Sequence, residues 1–285
     1  VEAGGQGVLM APTEILVQQH FENLRPLGNK VGVVVDALTG RDKGKEREKK
    51  LKALRDGNIH ILIGTHAVFQ SGVNFLDLRL AIIDEQHRFG VRQRLALGEK
   101  GQSVDVLVMT ATPIPRSLAL SQYGEMDLTV LTDKPAGRKP VKTVIISDNR
   151  VNEIVLKLKK AIDKKNQAYW VCPLIEESEV LDYTAAEDRF KALRANLGEG
   201  EVGLVHGQMN SDEKDEVMKK FSEGEIKVLV STTVIEVGVD VPSANIIVIE
   251  HAEKFGLAQL HQLRGRVGRG TSESSCILLY KAPLS

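Results

Sequence analysis

The chain has 285 residues, enough for two domains that each bury their own core. Its 38 Lys and Arg cancel its 38 Asp and Glu, which excludes a global basic field as the means of holding nucleic acid. Any such contact must come from local clusters and backbone amides.

The longest apolar runs are too short to span a bilayer, and no basic-then-apolar leader opens the chain. A soluble, cytoplasmic protein without membrane contact is therefore expected. Position 1 is Val rather than Met, from which a piece of a longer polypeptide is expected.

Gly7 to Met10 reads as a short buried strand that breaks at Ala11-Pro12-Thr13 into a helix. Pro lacks the N–H that a helix start cannot use, and the Thr hydroxyl can accept from a free amide there. Such a helix start can also bind a phosphate. Val31 to Val35 reads as the next strand, leading to Leu38-Thr39-Gly40 and a charged helix from about Lys43 to Arg55. That charge run alone means no more than a solvated face. Ile59 to Ile63 is expected as another buried strand, ending in Gly64-Thr65-His66.

Leu80 to Ile83 is four apolar residues, two of them β-branched, and predicts a strand buried on both faces. Asp84-Glu85-Gln86-His87 follows at once, at the carboxyl edge of the expected sheet, where open α/β folds bind ligands. Carboxylates there can hold Mg²⁺ and orient a water against a phosphate. An isolated Asp-Glu is ordinarily a solvated turn, but a second strand with the same layout, Val106 to Met109, runs into Thr110-Ala111-Thr112-Pro113. A helix over 116–121 and an apolar run over 128–131 complete this half.

Asp133 to Pro140 holds two of nine prolines, a glycine and four charges without apolar periodicity, and reads as a linker between domains 1–132 and 141–285. Beyond it strands are expected at 141–146, 168–172, 202–205, 227–230, 246–249 and 276–280. Helices fall between them near 151–164, 184–197, 211–221 and 257–267. This alternation predicts two α/β domains with parallel sheets. Cys172 and Cys276 sit inside these apolar runs, without Cys-x-x-Cys spacing, and read as core residues rather than a disulfide or metal site.

Gln262, Arg266 and Arg269 stand at i, i+4 and i+7, which predicts one helix face carrying an amide and two guanidiniums. Planar guanidiniums pair with phosphate oxygens two at a time. Gly265 and Gly268 remove side chains beside them, so a backbone or ligand can approach. Thr232 to Asp240 brings hydroxyls, Gly238 and a carboxylate to another strand's carboxyl end, and His206-Gly207 follows the 202–205 strand.

In order and spacing these stretches resemble the motifs of superfamily 2 helicases over nearly the whole chain. Ala11-Pro12-Thr13-Glu14 matches motif Ia, Gly64-Thr65-His66 the Ib region, Asp84 to His87 motif II and Thr110 to Pro113 motif III. Thr232 to Asp240 matches motif V, and Gln262-x-x-Gly265-Arg266-x-Gly268-Arg269 motif VI. More narrowly, the runs from Asp84 to Val91, Thr110 to Arg116, Gly137 to Pro140 and Tyr169 to Ser178 resemble the bacterial RecG family. Its members are ATP-driven double-strand DNA translocases that remodel stalled replication forks and Holliday junctions.

The resemblance implies two tandem RecA-like domains with mainly parallel sheets, the first truncated at its N-terminus. It implies ATP and Mg²⁺ as cofactors, and branched or double-stranded DNA as the partner of a monomer. Asp84 would hold the Mg²⁺ of Mg·ATP, and Glu85 would position or deprotonate the attacking water. Gln86 and His87 would couple the site to the facing domain, and Arg266 and Arg269 would reach the γ-phosphate. Gln262, Gly238 and Asp240 would contact the nucleotide. Thr13, Thr39, Gly40, Thr65, His66, His206, Gly207 and Thr232 would line the DNA track, touching phosphates and sugars.

One departure matters. Nowhere does the chain contain Gly-x-x-x-x-Gly-Lys-Ser/Thr, the family's phosphate-cradling loop. Gly40 to Glu46 imitates it but is one residue short between the glycines and puts a carboxylate where a hydroxyl should meet Mg²⁺. Activity of residues 1–285 alone is accordingly not expected. Two other readings stay open. The motor of a transcription-repair coupling factor shares Arg88-Phe89-Gly90 and Thr110 to Arg116 but usually shows Asp-Glu-Glu-Gln in motif II. By itself the chain also fits a non-catalytic DNA-binding module.

Overall fold

The computed structural model describes residues 1–70, 72–84, 103–110, 127–133, 137–173, 179–232 and 241–282, with backbone alone for 179–183 and 211. The chain divides into two compact units, Val1–Pro113 and Ile114–Ser285. Both are parallel α/β sheets, as the alternation predicts. Of the expected linker, residues 134–136 lie outside the described residues, as does the helix expected over 116–121.

The first unit orders its strands β2-β3-β1-β4-β5, all parallel. They are β1 (Gln6–Met10), β2 (Val35–Leu38), β3 (Ile61–Gly64), β4 (Leu78–Ile83) and β5 (Asp105–Val108). Side chains alternate between faces. Val8 and Met10 of β1 join one cluster with Leu38, Leu54, Leu62 and Ile83. Leu9 faces the other way, with Leu16 and Val17 of helix α1 (Glu14–Lys30), Val35 and Ile63. Helix α2 (Gly44–Arg55) buries Leu54 and turns Lys50 inward, leaving most of its other charges to solvent.

Two expectations are corrected here. The strand predicted over 31–35 begins only at Val35. Helix α1 runs to Lys30 and ends in a Schellman turn, with Gly32 at φ +72° and the Val33 N–H donating to the Gly28 carbonyl at 2.9 Å. The turn uses valines that look like strand residues. Nor is β4 buried on both faces: Leu80 is 40% exposed, beside the edge strand β5, whose Val106 and Leu107 are exposed too.

The second unit orders its strands β6-β11-β10-β7-β9-β8, again all parallel. They are β6 (Lys142–Ser147), β7 (Gln167–Cys172), β8 (Val202–Val205), β9 (Val228–Thr232), β10 (Ala244–Ile249) and β11 (Ser275–Tyr280). Helices α3 (Val151–Ile162), α4 (Glu179–Leu197), α5 (Ser211–Ser222) and α6 (Leu257–Arg264) intervene. Cys172 and Cys276 are buried and unpaired with each other. Burial pushes the Cys276 thiol up to about 11 and the Cys172 thiol further still, so both are core residues as read. Among the described residues no helix is long and apolar enough to cross a membrane.

The two units repeat one buried device. Gln6, at the start of β1, donates to the carbonyls of Leu54 (2.9 Å) and Ile59 (2.6 Å), and its oxygen accepts from the amides of Leu76 (2.7 Å) and Asp77 (3.1 Å). Gln167, at the start of β7, donates to the carbonyls of Phe221 (2.5 Å) and Ile226 (2.7 Å) and accepts from the Ser243 hydroxyl. In each case one amide closes a helix end, the turn after it and the approach to a neighbouring strand. Truncation would orphan several buried backbone groups, each at roughly 1–3 kcal/mol. Gln6→Leu, which keeps the volume, is therefore expected to cost the first unit about 3 kcal/mol in urea unfolding. The same change at exposed Gln18 should cost under ~0.5 kcal/mol. Equal losses at the two positions would refute the clamp.

Candidate nucleotide and nucleic-acid site

Four of the expected site segments leave the carboxyl ends of neighbouring strands in the first unit. Thr13 caps α1 in an extended conformation (φ −136°), its hydroxyl accepting from the Leu16 N–H at 3.4 Å. Glu14 accepts from the Gly40 N–H at 3.0 Å and pairs with Arg41 at 2.8 Å. The helix start is thus tied to the Thr39-Gly40 turn. Asp42 braces that turn from inside, accepting from the Thr39 N–H (2.8 Å) and from Lys50 Nζ (2.7 Å), which also reaches the Ala37 carbonyl. Burial works to raise the Asp42 carboxyl, but the hydrogen bonds from Lys50 and Thr39 outweigh it and hold its pKa below the ordinary value.

Thr65 follows β3 and opens a single 3-10 turn, His66–Phe69. A Cβ on Gly64 would stand 2.6 Å from the Leu38 carbonyl oxygen, so this crossing needs glycine. Since β2, β3 and β1 are adjacent, Thr13, Thr39-Gly40 and Thr65-His66 form one row along the sheet edge.

Asp84 continues that edge on β4. Its N–H donates to the Met10 carbonyl at 2.9 Å. Its Oδ2 lies 3.1 Å from Nε2 of His20, with the two side chains 22% and 27% exposed. Among the described residues no hydrogen bond to Oδ1 is found. Sequence reading missed His20. The available signal was its place at i+4 from Leu16 and i+3 from Val17, on the face of α1 that packs on the sheet. On the next strand Met109 donates to the Ile83 carbonyl at 2.8 Å, so Thr110 emerges beside Asp84. Glu85, Gln86, His87 and the remainder of Thr-Ala-Thr-Pro lie outside the described residues.

In the second unit His206 and Gly207 follow β8 and lead to Asn210, which caps α5 in a capping box with Glu213. Burial, then the nearby Lys214 ammonium, lowers the His206 pKa. Thr232 closes β9 and is buried. Gly238 and Asp240 lie outside the described residues.

The predicted helix face bearing Gln262, Arg266 and Arg269 is corrected. Helix α6 stops at Arg264 with Gly265 as its cap, and Gly268 takes φ +79°. Only Gln262 is helical. The arginines lie on the return segment toward the amino end of β11, held in turns by Arg266 N–H to the Leu263 carbonyl (3.0 Å) and Val267 N–H to the Arg264 carbonyl (3.3 Å). The same glycines that permit close approach end the helix.

The second unit also holds a cluster that the motif reading passed over. Glu250, just past β10, accepts from Trp170 Nε1 and Arg189 Nε, while the Arg189 guanidinium lies 5.4 Å from the Trp170 ring centre. It joins β7, α4 and β10 below the edge.

Residues 1–120 match the DEAD/DEAH box helicase family, and residues 150–271 the helicase conserved C-terminal domain. A curated protein of Pasteurella multocida, ATP-dependent DNA helicase RecG, is 52% identical over 289 residues. The chain carries both helicase-family domains and is RecG-like over its whole length. The match covers 100% of the chain and 42% of that relative, so the chain spans well under half the length of the RecG proteins it matches. RecG of Escherichia coli K12 is 53% identical, with 99% of the chain and 41% of the relative covered. A solved structure, RecG bound to a three-way DNA junction, is 46% identical at a TM-score of 0.81 and covers 99% of the chain and 36% of that protein. The helicase MrfA bound to DNA and AMPPNP, at 19% identity and TM-score 0.73, shares the fold. Two tandem RecA-like domains are therefore the architecture.

Proposed function

We propose that this chain supplies the motor of an ATP-driven double-strand DNA translocase that remodels stalled forks and Holliday junctions. One observation carries the reading. Asp84 stands on the same sheet edge as the Thr13, Thr39-Gly40 and Thr65-His66 row, beginning one strand away. A nucleotide carboxylate and backbone-contacting groups are thereby fixed to a single rigid sheet.

In this reading Thr13, Thr39, Gly40, Thr65, His66, His206 and Gly207 line the DNA track and meet phosphates and sugars. The Gly40 amide itself is taken by Glu14, and Thr232, being buried, backs the track from behind rather than touching DNA. Binding is then insensitive to sequence and sensitive to salt. Asp84 holds Mg²⁺. Among the described residues no group of three or more His, Cys, Asp or Glu could hold a metal alone. One hard carboxylate with a free oxygen suits Mg²⁺, which takes one or two carboxylates and shares the rest of its shell with phosphates and water. The ion when bound neutralises charge on the phosphates. Glu85 orients the attacking water, Gln86 and His87 relay nucleotide state, Arg266 and Arg269 stabilise the γ-phosphate, and Gln262, Gly238 and Asp240 contact the nucleoside. The working form is a cytoplasmic monomer. Residues 1–285 alone, lacking the glycine loop, are proposed to be inactive.

The test compares ATP hydrolysis by the full-length protein on forked DNA, linear duplex and RNA at fixed salt. Forked DNA should stimulate most and RNA least. Equal stimulation by RNA would sink the reading, and preference for linear duplex would favour a transcription-repair coupling motor.

A further inference from the structure

We propose that His20 is a positioning residue for Asp84, holding the carboxylate in the orientation that binds Mg²⁺ and tying it through helix α1 to the DNA-facing turn. The inference rests on the proposed role of Asp84 as the metal-holding carboxylate.

His20 Nε2 and Asp84 Oδ2 are 3.1 Å apart across 64 residues of sequence. Both side chains are largely shielded, so their hydrogen bond meets less competition from water than a surface pair would. A carboxylate that gives one oxygen to a metal can rotate unless its second oxygen is held. Here Oδ2 is held and Oδ1 is bonded to no described residue. Groups that hydrogen-bond a ligating carboxylate typically contribute 10–100-fold in metal affinity.

His20 cannot easily leave. Leu16 and Val17 of the same helix are buried, and Phe21 and Leu24 pack on the same cluster beneath the sheet. The helix is capped by Thr13 at one end and closed by the Gly28–Val33 turn at the other. At its start Glu14 grips Gly40 and Arg41, about 9 Å along the axis from His20. One rigid rod thus touches the Thr39-Gly40 turn at one point and the Asp84 carboxylate at another. A displacement of that turn by DNA is delivered to His20 as motion of the rod. Through His20 it reaches the aspartate.

The experiment uses the full-length protein and two variants. His20→Leu keeps bulk without a donor, and His20→Gln keeps an N–H donor at similar reach. The first readout is the Mg²⁺ concentration that half-saturates binding of a non-hydrolysable ATP analogue, measured by calorimetry with an EDTA reference. His20→Leu should raise it 10–100-fold, leave binding in EDTA unchanged and leave junction affinity within about threefold. His20→Gln should restore it to within about threefold of wild type. An unchanged Mg²⁺ requirement in His20→Leu, or equal defects in both variants, would overturn the proposal and leave His20 a packing residue.

If His20→Leu does not fold, long-range ¹H–¹⁵N spectra of wild type decide. The His20 Nε2 signal should move on Asp84→Asn, and a signal that stays put would overturn the proposal. Asp84→Asn also separates the two levels. If that variant still binds the analogue in a Mg²⁺-dependent way, the assignment of Asp84 itself fails. If it does not, a normal His20→Leu refutes only the role of His20.

Discussion

Arg266→Ala in the full-length protein is expected to lower ATP turnover by about 10³-fold or more while junction affinity changes by less than about threefold. An arginine that meets charge developing on a transferring phosphoryl group acts in the transition state, so kcat falls far more than KM rises. A loss of 10³ corresponds to about 4 kcal/mol of transition-state stabilisation. The local structure supports a fixed role. Gly265 ends α6, the Arg266 amide is bonded back to Leu263, and Arg269 Nε reaches the Gly265 carbonyl at 3.5 Å. The guanidiniums therefore spring from a braced turn rather than from a mobile loop. Arg266→Lys should recover little, since a point charge does not reproduce the planar fork. Single-turnover phosphate release and anisotropy of labelled junction DNA measure the two arms. Unchanged turnover with weaker DNA binding and a shallower salt slope would move Arg266 onto the DNA backbone.

The strand ends were legible because the physics there is local. A run such as Leu80–Ile83 followed by Asp84-Glu85 reads as a strand opening onto polar ground, and the motif residues mark the carboxyl edge. Helix ends were less legible. Val31 to Val35 has strand composition, yet Gly28 and Gly32 close a Schellman turn through Val33. Gly265 and Gly268 signalled close approach, and they equally signalled the stop of α6. What could not be read was pairing across long separations. His20 with Asp84, Gln6 with Leu54 and Leu76, and Glu250 with Trp170 and Arg189 join residues 48 to 80 apart. In the sequence each is one polar residue in or beside an apolar stretch. The sheet order that brings them together is not written in any one segment.

A polypeptide limited to residues 1–285 is expected to show no significant Mg·ATP binding and no DNA-stimulated hydrolysis, although both units fold. Each unit has its own buried cluster, around Met10, Leu62 and Ile83 in the first and around Trp170, Val230 and Val248 in the second. Folding is therefore not the obstacle. The obstacle is the pocket floor. In helicases of this kind a glycine loop points backbone amides at the β- and γ-phosphates and adds a lysine. The sequence contains no Gly-x-x-x-x-Gly-Lys-Ser/Thr, and the Gly40–Glu46 stretch is otherwise engaged. Gly40 donates to Glu14, and Thr39 is braced by Asp42. Without the loop the metal proposed to sit at Asp84 has no anchored phosphate to bridge. Salt-sensitive DNA binding should persist, because the Thr13, Thr39-Gly40 and Thr65-His66 row is intact. Calorimetry with a non-hydrolysable analogue and a phosphate-release assay on this polypeptide are the measurements. Micromolar binding, or turnover that vanishes on Glu85→Gln, would show that the nucleotide is held without the loop.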